Sequence, residues 1–194
     1  MNKKQRKLII ISGPSGAGKN ETIKQLLKRD KHLQTVVTCT SRARRPFEQD
    51  GKDYYFLSQN QFEHKIKTGE LLEYQKNHGF YYGTPKFAIE HIWEKNKIPI
   101  MQIDVRGGLN IKKIFKKDDV LLIFLTPGSV NNLKTMIYQR KHSMPEAEFK
   151  TRMKTAQREF KQANEYDFQI KNKYGQLDNT ILKIKQVIDN FLKK

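Results

Sequence analysis

Short apolar runs bounded by turn residues punctuate the chain at Leu8 to Ser12, Thr35 to Cys39, Ile98 to Ile103, Val120 to Leu125 and Phe168 to Ile170. Segments with helical spacing lie between several of them. Strands that are apolar along their length and alternate with helices predict a parallel sheet flanked by helices, an α/β fold. Between Thr40 and Thr84 the pattern changes to short strands, Tyr54 to Leu57, Leu71 to Gln75 and Phe80 to Tyr82. They surround a small helix whose start is marked by Ser58 and Gln61 in capping-box spacing, so this segment reads as an inserted, mostly antiparallel arm. From Ser129 to Ala163 two helices are predicted around a basic turn at Lys141 to Pro145. Phe149, Met153, Ala156, Phe160 and Ala163 recur there at steps of three and four, a stripe that belongs to the core.

The first apolar run leads directly into GPSGAGKN, Gly13 to Asn20, which opens the next helical segment. This context makes a phosphate cradle. Gly13, Gly16 and Gly18, with Ser15 and Ala17 between them, let the backbone wrap closely round an anion. The helix N-terminus aims N–H dipoles at it, and Lys19 adds a mobile positive charge. The usual pattern ends in Lys followed by Ser or Thr, whose hydroxyl ligates Mg²⁺; Asn20 stands there instead.

Composition narrows the field further. At 194 residues the chain fits one domain with inserted subdomains, and 37% hydrophobic residues with 11 Phe and 8 Tyr exclude a disordered polymer. The one cysteine, Cys39, excludes an internal disulfide and a multi-cysteine metal site, reads as a small buried residue, and fits a reducing compartment. The cytoplasm is the expected location. The apolar run after MNKKQRK is too short for a signal peptide, and no segment approaches a membrane span, so no membrane partner is expected. A net charge of +18, from 38 Lys+Arg against 20 Asp+Glu, favours phosphorylated ligands or nucleic acid. The lysines are spread from Lys3 to Lys194 without a dense arginine stripe, however, so a generally basic surface is the plainer reading.

After the second apolar run the chain reads TCTSRARRPFEQDGKDYYF, Thr38 to Phe56, and there it closely resembles guanylate kinase. The similarity continues in GELLEYQKNHGFYYGTP, Gly69 to Pro85, in MQIDVRG, Met101 to Gly107, and in an arginine-bearing segment followed by Gln169 to Lys173. Separated motifs in the right order are more specific than a phosphate loop alone. The resemblance implies a P-loop core of 1–39, 85–128 and 164–194 that carries the ATP phosphates. It also implies a GMP-binding arm of 40–84 and a lid of 129–163.

Arg42 and Arg45, three apart, with Tyr54 and Tyr82, offer forked donors and hydroxyls suited to a phosphate monoester. The resemblance implies that these four bind the GMP phosphate. Guanine presents an N1–H and an exocyclic amine side by side, for which a carboxylate is the natural reader. Glu73 matches the family residue in that role, Asp104 matches a second carboxylate near the base, and Thr38 and Thr84 match hydroxyls on the guanine edge. Lys19 would hold the β- and γ-phosphates, Arg140 and Arg152 match lid arginines that close on the transferring group, and Asn172 matches a contact to the adenine of ATP.

Three departures bear on activity: Asn20 in place of the loop hydroxyl, Gln102 in place of an aspartate, and Met136 in place of the first lid arginine. An amide oxygen is a hard ligand, so Asn20 or Gln102 reaching Mg²⁺ directly or through water stays open. The leading expectation is Mg²⁺-dependent transfer of the γ-phosphoryl of ATP to GMP, giving ADP and GDP. The alternatives are an inactive or weakened module of the same family that binds GMP or another phospho-ligand, a nucleic-acid binder, or a kinase for a ribosyl phosphate. Glu73 and the two threonines speak against the last, since a sugar phosphate has no guanine edge. The oligomeric state stays open.

Overall fold

The computed structural model describes residues 6–77, 79–129, 131–135, 145–173 and 175–193, with the side chain of residue 148 also outside the description. In chain order its elements are β1 (Leu8–Ser12), α1 (Lys19–Arg29), β2 (Leu33–Thr35), β3 (Cys39–Thr40), β4 (Tyr55–Phe56), α2 (Gln59–Lys67), β5 (Leu71–Asn77) and β6 (Phe80–Pro85). There follow α3 (Lys86–Glu94), β7 (Ile98–Gln102), α4 (Val105–Ile114), β8 (Val120–Thr126), α5 (Glu146–Gln162), β9 (Phe168–Lys171) and α6 (Leu177–Leu192). Two compact units emerge, Met1–Lys31 with Gln102–Lys194, and His32–Met101.

In the first unit β8 pairs in parallel with β1, Ile9 opposite Leu121 and Ile11 opposite Ile123, and with β9, Leu125 opposite Ile170. Every residue of β1 and β8 is buried. Strands covered on both faces must be apolar throughout, which is why LIII and VLLIFL show no alternation. The helices supply the cover with one apolar stripe each: Ile23 and Leu26 on α1, Leu109 and Ile111 on α4, and Ile181, Ile184, Ile188 and Phe191 on α6. On α5, Met153 and Ala156 pack with Leu133, Phe149 and Phe160 in a separate small cluster, as the stripe predicts. The basic turn expected at Lys141 to Pro145 lies, apart from Pro145, outside the described residues.

In the second unit β2 and β7 run parallel, with Leu33 opposite Ile98. A four-stranded sheet in the order β4-β3-β6-β5 makes the arm. The run expected as one strand, Thr35 to Cys39, is divided. Its start pairs with β7, and the Val36 N–H still donates to the Ile100 carbonyl at 3.0 Å, whereas Cys39 and Thr40 pair antiparallel with Gly83 and Tyr82. Apolar residues serve either sheet equally, so the crossover leaves no mark in hydropathy. β3 pairs with β4 in parallel and β5 with β6 antiparallel, so the arm is mixed, with its longest ladder antiparallel.

The capping box forms as its spacing predicts: Ser58 Oγ accepts from Gln61 N–H at 3.2 Å and Gln61 Oε1 accepts from Ser58 N–H at 2.8 Å. It aims α2 so that Phe62 is fully buried against Cys39 and Leu71, stacked on Tyr81 with ring centroids 5.1 Å apart. Cys39 donates its thiol to the Gly83 carbonyl at 3.3 Å, and burial pushes its pKa up to about 12. Phe62→Ala should therefore lower stability by about 3–5 kcal/mol in urea unfolding, as truncation of a buried ring does. A loss below about 1 kcal/mol would show that this ring does not hold the arm together.

Candidate active site

The loop between β1 and α1 is forced into its shape by two close approaches. Gly13 has φ 139°, and a Cβ there would stand 2.1 Å from the Leu125 carbonyl oxygen at the end of β8. Gly18, the N-cap of α1 with φ 90°, would bring a Cβ within 2.5 Å of Asn172 Nδ2. Glycine is required at both. Lys19 folds back, donating from Nζ to the carbonyls of Gly13 at 2.6 Å and Pro14 at 3.0 Å. Ser15 Oγ accepts from Arg152 Nη1 of α5 at 3.0 Å, which places one expected lid arginine on the loop.

Asn172 stands behind the loop. It is buried, donates through Nδ2 to the Ala17 carbonyl at 2.9 Å and accepts at Oδ1 from Thr180 Oγ1 at 3.1 Å. Its backbone N–H donates to Thr126 at 2.7 Å. The side chain expected to meet adenine thus braces the cradle in this state. Arg140 and Met136 lie outside the described residues.

Asn20, on the first turn of α1, and Gln102, at the end of β7, both present exposed side chains. Asp104 caps α4, accepting from Gly107 N–H at 2.7 Å, and is half-buried. Among the described residues no group of three His, Cys, Asp or Glu side chains is placed to hold a metal.

Sequence reasoning missed Glu159. It adjoins the apolar stripe of α5, where it reads as one more surface charge, yet its Oε2 is sealed from solvent with no hydrogen-bond partner. Burial pushes its carboxyl up to about 7, with Lys19 and Arg106 opposing the shift and Asp104 adding to it. Half-buried Glu159 therefore carries one sealed, unbonded carboxyl oxygen within the electrostatic reach of Lys19 at the phosphate loop.

The arm gathers two clusters on one sheet. In the first, Glu73 and Thr84 are opposite each other on β5 and β6, and Thr84 Oγ1 donates to Glu73 Oε1 at 2.7 Å. Both residues are buried, so the pair is held in a fixed orientation. Thr38 is half-buried just before β3, and its carbonyl accepts from Tyr55 N–H at 2.8 Å.

In the second cluster the Arg42 guanidinium lies 5.8 Å from the ring centroids of both Tyr54 and Phe56, and the Tyr54 and Tyr82 rings meet edge-on at 6.2 Å. The hydrogen bond to Glu48 holds Arg42 more firmly protonated than usual. Arg45 joins through its backbone, and its side chain is exposed. Tyr82 and Thr84 are two apart on β6 and share a face, so the clusters lie about 7 Å apart along the strand. Glu48 and Phe56 were not singled out by sequence reasoning. Asp104, expected near the base, belongs to the other unit.

Parallel strands flanked by helices, with a glycine-shaped loop leading into α1, define an α/β nucleotide-binding protein of the phosphate-loop class. A family model described as guanylate kinase matches residues 5–191. The chain is 38% identical over 181 residues to the guanylate kinase of Clostridium tetani, covering 93% of this chain and 84% of the relative. It is 37% identical over 165 residues to that of Thermotoga maritima, covering 85% and 78%. The crystal structure of guanylate kinase from Anaplasma phagocytophilum superposes with a TM-score of 0.75 at 25% identity, over 97% of this chain and 87% of that one. The chain belongs to the guanylate kinase family.

Glu159 gives this site a signature in the pH dependence of stability. A carboxyl whose folded pKa is about 7, against an ordinary 4.5, makes the folded state bind more protons than the unfolded state between those values. Stability is then lost as pH rises through that window, and the carboxyl costs nothing below it. Glu159→Gln should be more stable than the parent at pH 8, on the order of 2–3 kcal/mol, and equal to it near pH 4. Parallel stability curves for the two proteins from pH 4 to 8 would contradict this placement of the carboxyl.

Proposed function

We propose that this chain is a guanylate kinase that transfers the γ-phosphoryl of ATP to GMP, giving ADP and GDP. The observation that carries the reading is the arm's pairing of a buried carboxylate with an arginine–tyrosine cluster. Glu73, oriented by Thr84, and Arg42, beside Tyr54, belong to clusters joined by β6, where Thr84 and Tyr82 are two apart and share a face, so one sheet offers an acceptor for a base edge and a guanidinium for a phosphate. Glu73 accepts from the guanine N1–H and amine, with Thr84 and Thr38 completing the edge. Arg42, Arg45, Tyr54 and Tyr82 take the monoester. AMP offers no donor pair to Glu73, and its buried oxygens are left unmatched, a basis for strong discrimination.

The loop Gly13 to Asn20 takes the donor's polyphosphate on its backbone N–H groups. In doing so Lys19 exchanges the Gly13 and Pro14 carbonyls for phosphate oxygens. Arg152, already bonded to Ser15, supplies positive charge at the loop, and Arg140 serves the same end from the lid of 129–163. Asn172 keeps the loop's far side in place, and an adenine contact requires it to release Ala17. The core of 1–39, 85–128 and 164–194 carries the donor and the arm of 40–84 the acceptor. Phosphoryl transfer passes through a loose transition state, so alignment and charge neutralisation are the main tasks.

The donor set fits Mg²⁺ in one way. The exposed amides of Asn20 and Gln102 offer hard but uncharged oxygens, and Glu159, whose Oε2 has no hydrogen-bond partner, feels the charges of Lys19, Asp104 and Arg106. The ion would neutralise phosphate charge, held chiefly by the nucleotide and its own waters, with Asn20 and Gln102 as outer partners. No helix of the described residues is long and apolar enough to cross a membrane, and the cytoplasm is the location we assign to the reaction.

A coupled assay with GMP, AMP and UMP as acceptors tests the assignment, with activity expected on GMP alone. Glu73→Gln should lower kcat/KM for GMP by roughly 10–100-fold, the cost of a charged hydrogen-bond acceptor, and leave the KM for ATP unchanged. Equal losses toward both substrates would remove Glu73 from the base site. With uncharged amides at the metal, the rate should saturate only at Mg²⁺ in excess of ATP; saturation at equimolar metal would show that the substitutions at 20 and 102 do not weaken it.

A further inference from the structure

Glu48 ties the arginine-rich loop into one unit. Its Oε1 accepts from Arg42 Nη2 at 2.7 Å, its Oε2 accepts from the Arg45 backbone N–H at 2.9 Å, and its own carbonyl accepts from Arg44 Nη1 at 2.8 Å. The side chains of Arg42 and Glu48 are 14% and 18% exposed, which marks this ion pair as largely covered. Arg42 also donates from Nη1 to the Ala43 carbonyl at 2.7 Å. The hydrogen bond from Arg42, then that from Arg45, holds the Glu48 carboxyl below its usual range, so it stays ionised through neutral pH.

We propose that Glu48 is a positioning residue for the acceptor's phosphate: it locks the plane of Arg42 and the backbone of Arg45 so that both guanidiniums address the same anion. The inference rests on the reading of Arg42 and Arg45 as the monoester's ligands. Three guanidiniums within residues 42–45 repel one another, and a long arginine side chain loses rotamer freedom when it binds. The carboxylate removes both difficulties before a ligand arrives. A guanidinium has five donors, so bonds to Glu48 and Ala43 fix its plane without exhausting it. The rings of Tyr54 and Phe56 hold the same group from its other sides. A carboxylate also repels an incoming dianion, so the opposite result, tighter binding once it is removed, is a real contender.

Calorimetric titration of the full chain with GMP, and separately with guanosine, decides between them. Glu48→Ala should weaken GMP binding about tenfold and leave guanosine within about twofold, because only the phosphate ligands lose their support. Glu48→Gln keeps the shape and an acceptor oxygen and should fall between, about threefold; it carries the test if the alanine variant does not fold. In steady state the KM for GMP rises while that for ATP does not. GMP binding that is unchanged or tighter in both variants overturns the proposal, as does an equal loss for GMP and guanosine, which would mean general damage to the arm. Arg42→Ala separates the two levels. If it leaves GMP affinity unaltered, the phosphate reading falls and the role of Glu48 with it. If it weakens GMP while Glu48→Ala does not, the role of Glu48 alone is withdrawn.

Discussion

The structure depends first on a steric constraint: the backbone at Gly13 passes so close to the end of β8 that no side chain fits between them. That approach requires β1 and β8 to be paired in register and buried along their whole length, which their unbroken apolar runs secure. Asn172 then closes the cradle from behind, satisfied on both sides of its amide, so a buried polar group contributes to the loop's geometry at little cost. Burial in the sheet and the shape of the loop are thus linked through one short turn.

On the function proposed above, the arm solves a different problem with charge. A nucleoside monophosphate carries its anion at one end and a hydrogen-bonding edge at the other, and a small sheet has little depth in which to bury a reader for each. Strand periodicity helps, since residues two apart share a face. Tyr82 and Thr84 use that spacing, and their cross-strand and neighbouring partners Glu73, Tyr54 and Arg42 complete the two clusters. The carboxylates differ in duty. Glu73 is buried with a hydroxyl that orients it, while Glu48 is engaged by arginine and remains ionised.

Much of this was legible in the residue order, though not evenly. The phosphate loop, the apolar strands, the α2 capping box and the α5 stripe follow from local rules, because each needs only neighbours in sequence. The crossing from β2 to β3 was not legible: Thr35 to Cys39 is uniformly suited to a strand, and which sheet receives it depends on partners far along the chain, Ile100 for Val36 and Gly83 for Cys39. Glu159 was hidden for a related reason. A helix position next to an apolar stripe is solvent-facing or enclosed according to what packs over it, and periodicity cannot say which. Asn172 shows a third kind of limit, since a motif match names a position without naming the face of the loop it touches.

Sequence by itself determined the chemistry available: three glycines and a lysine before a helix, forked donors at Arg42 and Arg45, a carboxylate at Glu73, and amides where a hydroxyl and a carboxylate are usual. It did so because these depend on residue identity and short spacing. Only the tertiary structure decided which of those groups are oriented and by whom. Hydrogen bonds from Thr84 to Glu73, from Arg42 to Glu48 and from Asn172 to Ala17 join residues 11, 6 and 155 positions apart. The longest of them exists only because the chain's folding entropy has already been offset by burying the strands that bring its ends together.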